Sequence, residues 1–547
     1  MTRLVLVLHS HLPWVLHHGR WPHGSDWLTE AAVDTYLPLL ETLLALADEQ
    51  VAAPISLGIT PVLANQLAHP DFRTELQQFF AQRLAACAAA PASLARTDES
   101  DLLPVVRYWQ ARYARLQARF ESLDGDLLGA FRALEAAGRL ELFSSAATHG
   151  FLPLLGRDES IRLQLLHGAH EHRRLFGRSA AGCWLPECAY RPSGAWAPLA
   201  DAPGAGQLRR GLEGFVAEAG FRYTVMDAHL VAGGVALGSS GGMADVDTAP
   251  HSAIRSPYLL HRLHDDRTAR ELLVFARDPH LSSQVWSRHE GYPGDGRYLE
   301  FHKMRWPGGL KLWRVTGAGV DLGAKAAYAQ DAAGQIAREH AGHFAALAAL
   351  IGEGQTHADA VLCAPFDTEL FGHWWFEGPD FLGHAFRALA RQSTVRPSLA
   401  GAAAAGSLHA ASVVLPSGTW GANGDSSMWL SDQTAWTWRR LWPLEQRFWE
   451  IAPVYLSHEL AHPALAQAAR ALLLAQSSDW QFIISTGAAA DYAERRFAEH
   501  CVDLERLLHA LEHHHDHGAA LAAELHRVDD LFPDVLATVA AIIRGTA

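Results

Sequence analysis

The sequence predicts an α/β fold in which parallel strands alternate with helices around a barrel. Three observations carry this prediction. Seven short apolar runs recur between residues 4 and 367, continuous in apolar character as strands covered on both faces are. Segments of helical period lie between the runs, the pattern of a parallel sheet wrapped in helices. Several runs end abruptly in a polar or charged residue, which is where barrels of this kind place their chemistry.

Residues 4–8 (LVLVL) form the first strand and deliver His9-Ser10-His11-Leu12-Pro13-Trp14. A loop with Trp21 and Trp27 follows, and Asp34 opens a helix to about residue 48. Residues 54–59 are the second strand. A long helical region, 71–136 with interruptions, stops at Gly138, as a helix C-terminus does. The third strand, 140–147, ends at Thr148-His149-Gly150, and helix 159–176 is closed by Gly177. The fourth strand carries Glu187, within Trp184-Leu185-Pro186-Glu187-Cys188-Ala189-Tyr190-Arg191.

Residues 195–206 are rich in Ala, Pro and Gly and read as a small insertion. A helix ending at Ala219 feeds the fifth strand, 221–226, which ends at Asp227. A stretch with five glycines, 231–242, then reads as a flexible loop. The sixth strand is 271–276. After it come Gln284-Val285-Trp286-Ser287 and the turn Gly291-Tyr292-Pro293-Gly294-Asp295. A helix over 325–350 leads to the seventh strand and Asp367. Helix 381–391 precedes an Ala/Gly linker, 400–406, which marks a boundary between a barrel of residues 1–400 and a helical C-terminal domain of 401–547. Residues 411–415 compete for the role of an eighth strand.

Bulk properties narrow the function. A net charge of −14 argues against nucleic acid or an anionic membrane as the main partner. Five scattered cysteines make neither a zinc pattern nor a disulfide framework and read as reduced, in a cytoplasmic protein. The N-terminal apolar run is too short for a signal peptide, and no run reaches transmembrane length. The composition is unusual in its 18 Trp and 32 His. Many of the Trp residues sit beside Gly, Pro or charged residues, which suits stacking platforms along a carbohydrate cleft as well as core packing. The run from His513 to His517 reads as a solvated helix end.

Two carboxylates, Glu187 and Asp367, lie at strand ends among aromatics, the parts of a glycosidase. For Glu187 the plain alternative is an ion pair with Arg191. For Asp367 the competitor is Glu369, which alternation would point the same way. His9 and His11 form an H-x-H at a strand end, a pattern that metal-dependent barrel hydrolases also use.

On five segments the chain resembles glycoside hydrolase family 57, and within it the 1,4-α-glucan branching enzymes. The segments are His9-Ser10-His11-Leu12-Pro13, residues 141–149, Trp184-Leu185-Pro186-Glu187, Ala364-Pro365-Phe366-Asp367 and Ser478-Asp479-Trp480-Gln481-Phe482. The stretch from Gln284 to Asp295 points to the branching enzymes. The resemblance implies an incomplete (β/α)7 barrel with a small inserted segment near 188–218 and a helical C-terminal domain closing the cleft. It implies a retaining mechanism with no metal or other cofactor. Glu187 matches the nucleophile and Asp367 the general acid/base. His9, His11 and His149 match the donor subsite. Trp27 (with Trp21 competing), Trp286, Trp420 and Trp429 match cleft aromatics, and Asp479 matches a residue reaching in from the C-terminal domain.

The expected activity is therefore branching of linear α-1,4-glucan in glycogen synthesis. An α-amylase or 4-α-glucanotransferase uses the same chemistry. A metal-dependent hydrolase and a non-catalytic glucan-binding protein are the readings of other classes. The chain departs from the branching enzymes at residues 228–257, which contain no Tyr, Trp or Phe. A lid without an aromatic anchor is expected to exclude water poorly, raising hydrolysis relative to branching.

Overall fold

The computed structural model describes residues 1–232, 255–265, 267–287, 291–407, 410–513 and 515–546. Seven parallel strands, named here β1–β7, line a barrel: Thr2–Ser10, Ile55–Ile59, Leu140–Ser145, Cys183–Trp184, Tyr223–Met226, Glu271–Ala276 and Val361–Asp367. β7, β1, β2, β3 and β4 are hydrogen-bonded in that order. β5 and β6 pair with each other. Among the described residues the two halves meet only through single bridges, Gly182 with Tyr223 and Arg277 with Cys363. The ring of seven is thus incomplete in its ladders at two joints, which is the expected (β/α)7 architecture.

Alternation along β1 explains how the site is supplied. Val5 and Val7 pack in an inner cluster with Phe143, Trp184, Tyr223 and Phe275. Leu4, Leu6 and Leu8 pack outward under the helices. With a period of two, the inward set continues into His9 and then His11. The barrel is a filled core, and Gly58 leaves room for it: a Cβ there would lie 2.7 Å from the Phe143 ring.

Most expected elements are present, with instructive differences. The region 71–136 is three long helices, Pro70–Arg96, Leu103–Ser122 and Leu127–Ala136, preceded by the short helix Pro61–Ala68. The insertion after β4 contains a hairpin of Gly194–Trp196 with Gln207–Arg209. Two short strands escaped the sequence reading, and a third, Ala411–Ser412, falls within the 411–415 segment expected as a competing strand. His261–His264 runs antiparallel to β6, and its His and Arg residues hide it from an apolar pattern. Val395–Pro397 adds to β1, and Ala411–Ser412 pairs with His261–His264. The segment around Trp286 is a helix, Pro279–Trp286, capped by Asp278.

Residues 400–406 are not a linker. Ala400–Ala405 is a helix whose Ala400 and Ala403 are fully buried against the inner barrel cluster. The Ala400 amide donates to Ser56 Oγ at 2.8 Å and the Gly401 amide to Glu141 Oε2 at 2.8 Å. Alanine is both a strong helix former and small enough to close the barrel floor. The chain beyond is helical, with Ala435–Tyr455, His462–Ala475, Asp479–Thr486 and Ala490–His513 its main elements. Thr148 hands its hydroxyl proton to the Leu473 carbonyl, and the Ser478 amide donates to the His149 carbonyl at 3.0 Å. These bonds seat the turn 477–479 on the end of β3.

Candidate active site

The functional side chains meet at the C-terminal ends of the strands, under the turn 477–479. Asp367 is the last residue of β7 and pairs in register with His9 on β1. Glu187 is not on a strand: β4 stops at Trp184, and Glu187 lies in the tight turn Pro186–Cys188. Its backbone is left-handed, with φ 62° and ψ 22°, and Cys188 follows at φ 48°. Proline-186 and the turn geometry aim the carboxylate in a way a strand end would not.

Glu187 is held by two donors from distant parts of the chain. Trp420 Nε1 donates to Oε2 at 2.9 Å and Ser478 Oγ donates to Oε1 at 3.0 Å. The Trp420 amide also donates to the Glu187 carbonyl at 3.0 Å. Arg191 makes no ion pair with it; its Nη1 donates to the Pro192 carbonyl at 3.2 Å.

The Ser478 bond fixes protons further back. Its hydroxyl proton is committed to Glu187, so Ser478 Oγ accepts from His149 Nδ1, 2.8 Å away. Burial, then the neighbouring His11, hold His149 well below the ordinary histidine range, so its ring is neutral and Nε2 carries no proton. His9 Nε2, 3.0 Å away, must therefore donate to it. His9 is likewise kept neutral, by burial and then by His149. A directed chain runs from His9 through His149 and Ser478 to Glu187. The rings stack, His9 on Trp184 at 4.6 Å and His11 on His149 at 4.0 Å. His11 Nε2 meets Asp479 Oδ2 at 2.8 Å and His11 Nδ1 meets Thr60 Oγ1 at 3.0 Å.

Burial raises both candidate catalytic carboxyls. Glu187 is pushed up to about 7, against which the Trp420 and Ser478 bonds act. Asp367 lies well above the ordinary carboxylate range, through burial, then the charge of Glu369, then that of Glu187. Among the described residues no hydrogen-bond donor reaches its carboxylate. Glu369 is distinct from it in setting. It is buried, accepts from Tyr36 Oη at 2.5 Å and from the His11 amide at 3.2 Å, and is raised to about 7, chiefly by burial. Tyr36 ends a π-helical turn, Ala32–Tyr36, a local widening that turns the ring toward Glu369.

The aromatics divide. Trp420 binds Glu187 and meets Trp286 edge-on at 5.6 Å, with the Arg277 guanidinium over both rings. Trp286 and Trp27 are half-buried. Trp21 is exposed and leans edge-on against Trp306. Trp429, expected as a cleft aromatic, is 0% exposed: Phe151 stacks on it at 4.6 Å, so no face is open to a sugar. The donor atoms of His11, His149 and Asp479 lie within 4.8 Å of one another, a set with the spacing of metal ligands. Both ring nitrogens of His11 and of His149 are already engaged within the network just described. Most of the loop 228–257 lies outside the described residues. Tyr258, at its end, is buried and hydrogen-bonded to Asp278.

Ser478, Tyr36, Thr60 and Arg277 escaped the sequence reading. Arg277 follows β6 directly, is fully buried and pairs with Asp227 at 3.3 Å. Its position at a strand end was the available signal. Ser478 stood beside Asp479 in a segment already noticed, but nothing in the sequence ties it to Glu187.

The family described as glycosyl hydrolase family 57 matches residues 5–397. That described as 1,4-alpha-glucan branching enzyme, C-terminal, matches residues 441–539. The chain is 38% identical over 513 residues to a 1,4-alpha-glucan branching enzyme of Thermococcus kodakarensis, covering 93% of this chain and 73% of that one. It is 33% identical to a probable 1,4-alpha-glucan branching enzyme of Mycobacterium tuberculosis, covering 96% of each. The crystal structure of a branching enzyme from Thermococcus kodakaraensis in complex with glucose superposes with a TM-score of 0.90 at 36% identity, over 98% of this chain and 96% of that one. The α-amylase AmyC of Thermotoga maritima superposes with a TM-score of 0.82 at 25% identity, over 98% and 99%.

Proposed function

The chain belongs to glycosyl hydrolase family 57, and we propose that it is a retaining 1,4-α-glucan branching enzyme with Glu187 as nucleophile and Asp367 as general acid/base. The observation that carries this reading is the asymmetry between the two carboxyls. Glu187 accepts two hydrogen bonds, which favour its anion, whereas Asp367 has no donor among the described residues and stands beside two other carboxylates. One group is supported as a base and the other as an acid, the division a double displacement needs.

In the first step Glu187 attacks the anomeric carbon of an α-1,4-linked glucose, and the Asp367 proton goes to the departing 4-oxygen. The bond to the leaving chain breaks as the glucosyl ester forms. In the second step the Asp367 carboxylate takes the proton of an acceptor hydroxyl, whose oxygen displaces Glu187. A 6-hydroxyl acceptor yields a branch, and water yields hydrolysis. His9, His11, His149, Asp479, Trp27, Trp286 and Trp420 are read as the walls of the substrate cleft. Division into a barrel, 1–400, and a closing helical domain, 401–547, belongs to the same reading. So does a cytoplasmic place in glycogen synthesis; the five cysteines, all free and buried, support it. No helix among the described residues is long and apolar enough to cross a membrane.

The test is incubation with amylose, measuring reducing ends released by hydrolysis and reducing ends revealed after debranching. Branching predicts that the second exceeds the first. The likeness to an α-amylase supports a second reading, and reducing ends released with no branches would establish it. The sequence of 228–257, without an aromatic residue, leads us to expect more hydrolysis than branching enzymes usually show.

A further inference from the structure

A second concave site lies at the opposite end of the barrel from Glu187. It is a cavity of about 660 Å³ lined by Arg3, Arg139 and Arg396 together with apolar side chains such as Leu43, Val51 and Leu134. It forms where the strands begin: Arg3 is the second residue of β1, and Arg139 immediately precedes β3. Arg396 lies on the added strand Val395–Pro397. His9 is six residues further along β1, so the cavity and the catalytic carboxyls are separated by about 20 Å of strand.

The charges in this cavity lack a counterpart. Arg3 and Arg396 are direct partners in the parallel register, two like charges side by side on neighbouring strands. No lining residue is Asp or Glu. Among the described residues, none of the three arginines makes an ion pair; Arg3 donates Nη1 to the Ala403 carbonyl at 3.1 Å. Three unneutralised guanidinium groups around one hollow are unexpected on a chain of net charge −14.

We propose that this cavity binds a phosphorylated small molecule of nucleotide size. A neutral glucan leaves the Arg3–Arg396 repulsion in place, whereas a phosphate relieves it and matches the planar donor fork of arginine. Bare phosphate leaves most of the volume and the apolar walls unused. A phosphate carried on a flat, weakly polar moiety such as a purine nucleoside fills both, within the size of ordinary ligand pockets. The site is separate from the glucan cleft, so the ligand is neither substrate nor product of the transfer.

The test is calorimetric titration of the full chain at low ionic strength with ADP, inorganic phosphate and adenosine. ADP should bind, phosphate more weakly and adenosine not at all. Arg139 and Arg396 are exposed, so R139A/R396A should fold, retain the activity on amylose, and weaken ADP by about tenfold or more. Saturating maltoheptaose should leave ADP binding unchanged. Absence of ADP binding, an affinity the double variant does not alter, or displacement by maltoheptaose would each overturn the proposal. Phosphate binding as tight as ADP would refute the nucleotide-sized ligand.

Discussion

Ser478 Oγ donates its only proton to Glu187 Oε1 at 3.0 Å, from a position 291 residues further along the chain. A hydrogen bond to a charged acceptor is worth about 1.5–3 kcal/mol, and each pH unit of pKa is about 1.4 kcal/mol. Removing it in Ser478→Ala should therefore raise the Glu187 pKa by about one unit or more. The activity profile should lose its acid side: kcat/KM well below the limb should fall by roughly tenfold, and at the alkaline end much less. Ser478→Thr should restore the profile. A uniform loss at every pH would show that Ser478 merely supports the fold.

The unsubstituted enzyme should have an unusually high acid limb. Glu187 must be ionised to attack, and burial pushes it up to about 7. Activity should therefore fall as pH drops through about 7, far above the usual glutamate value. The alkaline limb belongs to Asp367, which must be protonated and lies well above the carboxylate range. A kcat/KM profile with its acid limb near the ordinary glutamate value would contradict the assignment of Glu187 as the group that must ionise.

Glu369 adjusts the alkaline limb without touching the reacting atoms. Its charge is the largest electrostatic contribution raising Asp367. Glu369→Gln keeps a hydrogen-bonding side chain opposite Tyr36 and removes that charge. Asp367 should then lose its proton at lower pH, and the alkaline limb should move down while the acid limb moves little. No movement of that limb would show that Glu369 is a scaffold for Tyr36 and His11 only.

Replacement of the nucleophile separates chemistry from binding. Glu187→Ala should abolish both branching and hydrolysis, because no covalent intermediate can form. Azide should enter the vacated space and give an inverted β-glucosyl azide from an activated α-donor. Wild-type turnover in this variant would move the nucleophile to another carboxyl, with Glu369 the nearest candidate in setting.

The parts of this structure that were legible in the sequence are those set by local pattern. Continuous apolar runs such as LVLVL at β1 announce strands covered on both faces, and the residues following them announce the site. What was hidden depends on packing between distant segments. Trp420 and Trp429 look alike in sequence, yet one donates to Glu187 and the other lies beneath Phe151. The Ala/Gly run at 400–406 has the composition of a linker but forms a helix whose first amides the barrel floor caps through Ser56 and Glu141. The strand His261–His264 exists because β6 has a free edge, not because its own residues favour it.

The left-handed backbone at Glu187 bears on how the protein can change. Three site residues, His149, Glu187 and Cys188, hold positive φ without being glycine, at a cost of about 1–2 kcal/mol each. Selection for stability alone would replace them, and Glu187→Gly should melt at a higher temperature than the parent while being inert. The active site is thus a reserve of stability that drift can recover only by abandoning the reaction. A descendant of this chain freed from catalysis would be expected to lose its carboxylate at 187 early, through a substitution that makes the molecule sturdier rather than weaker.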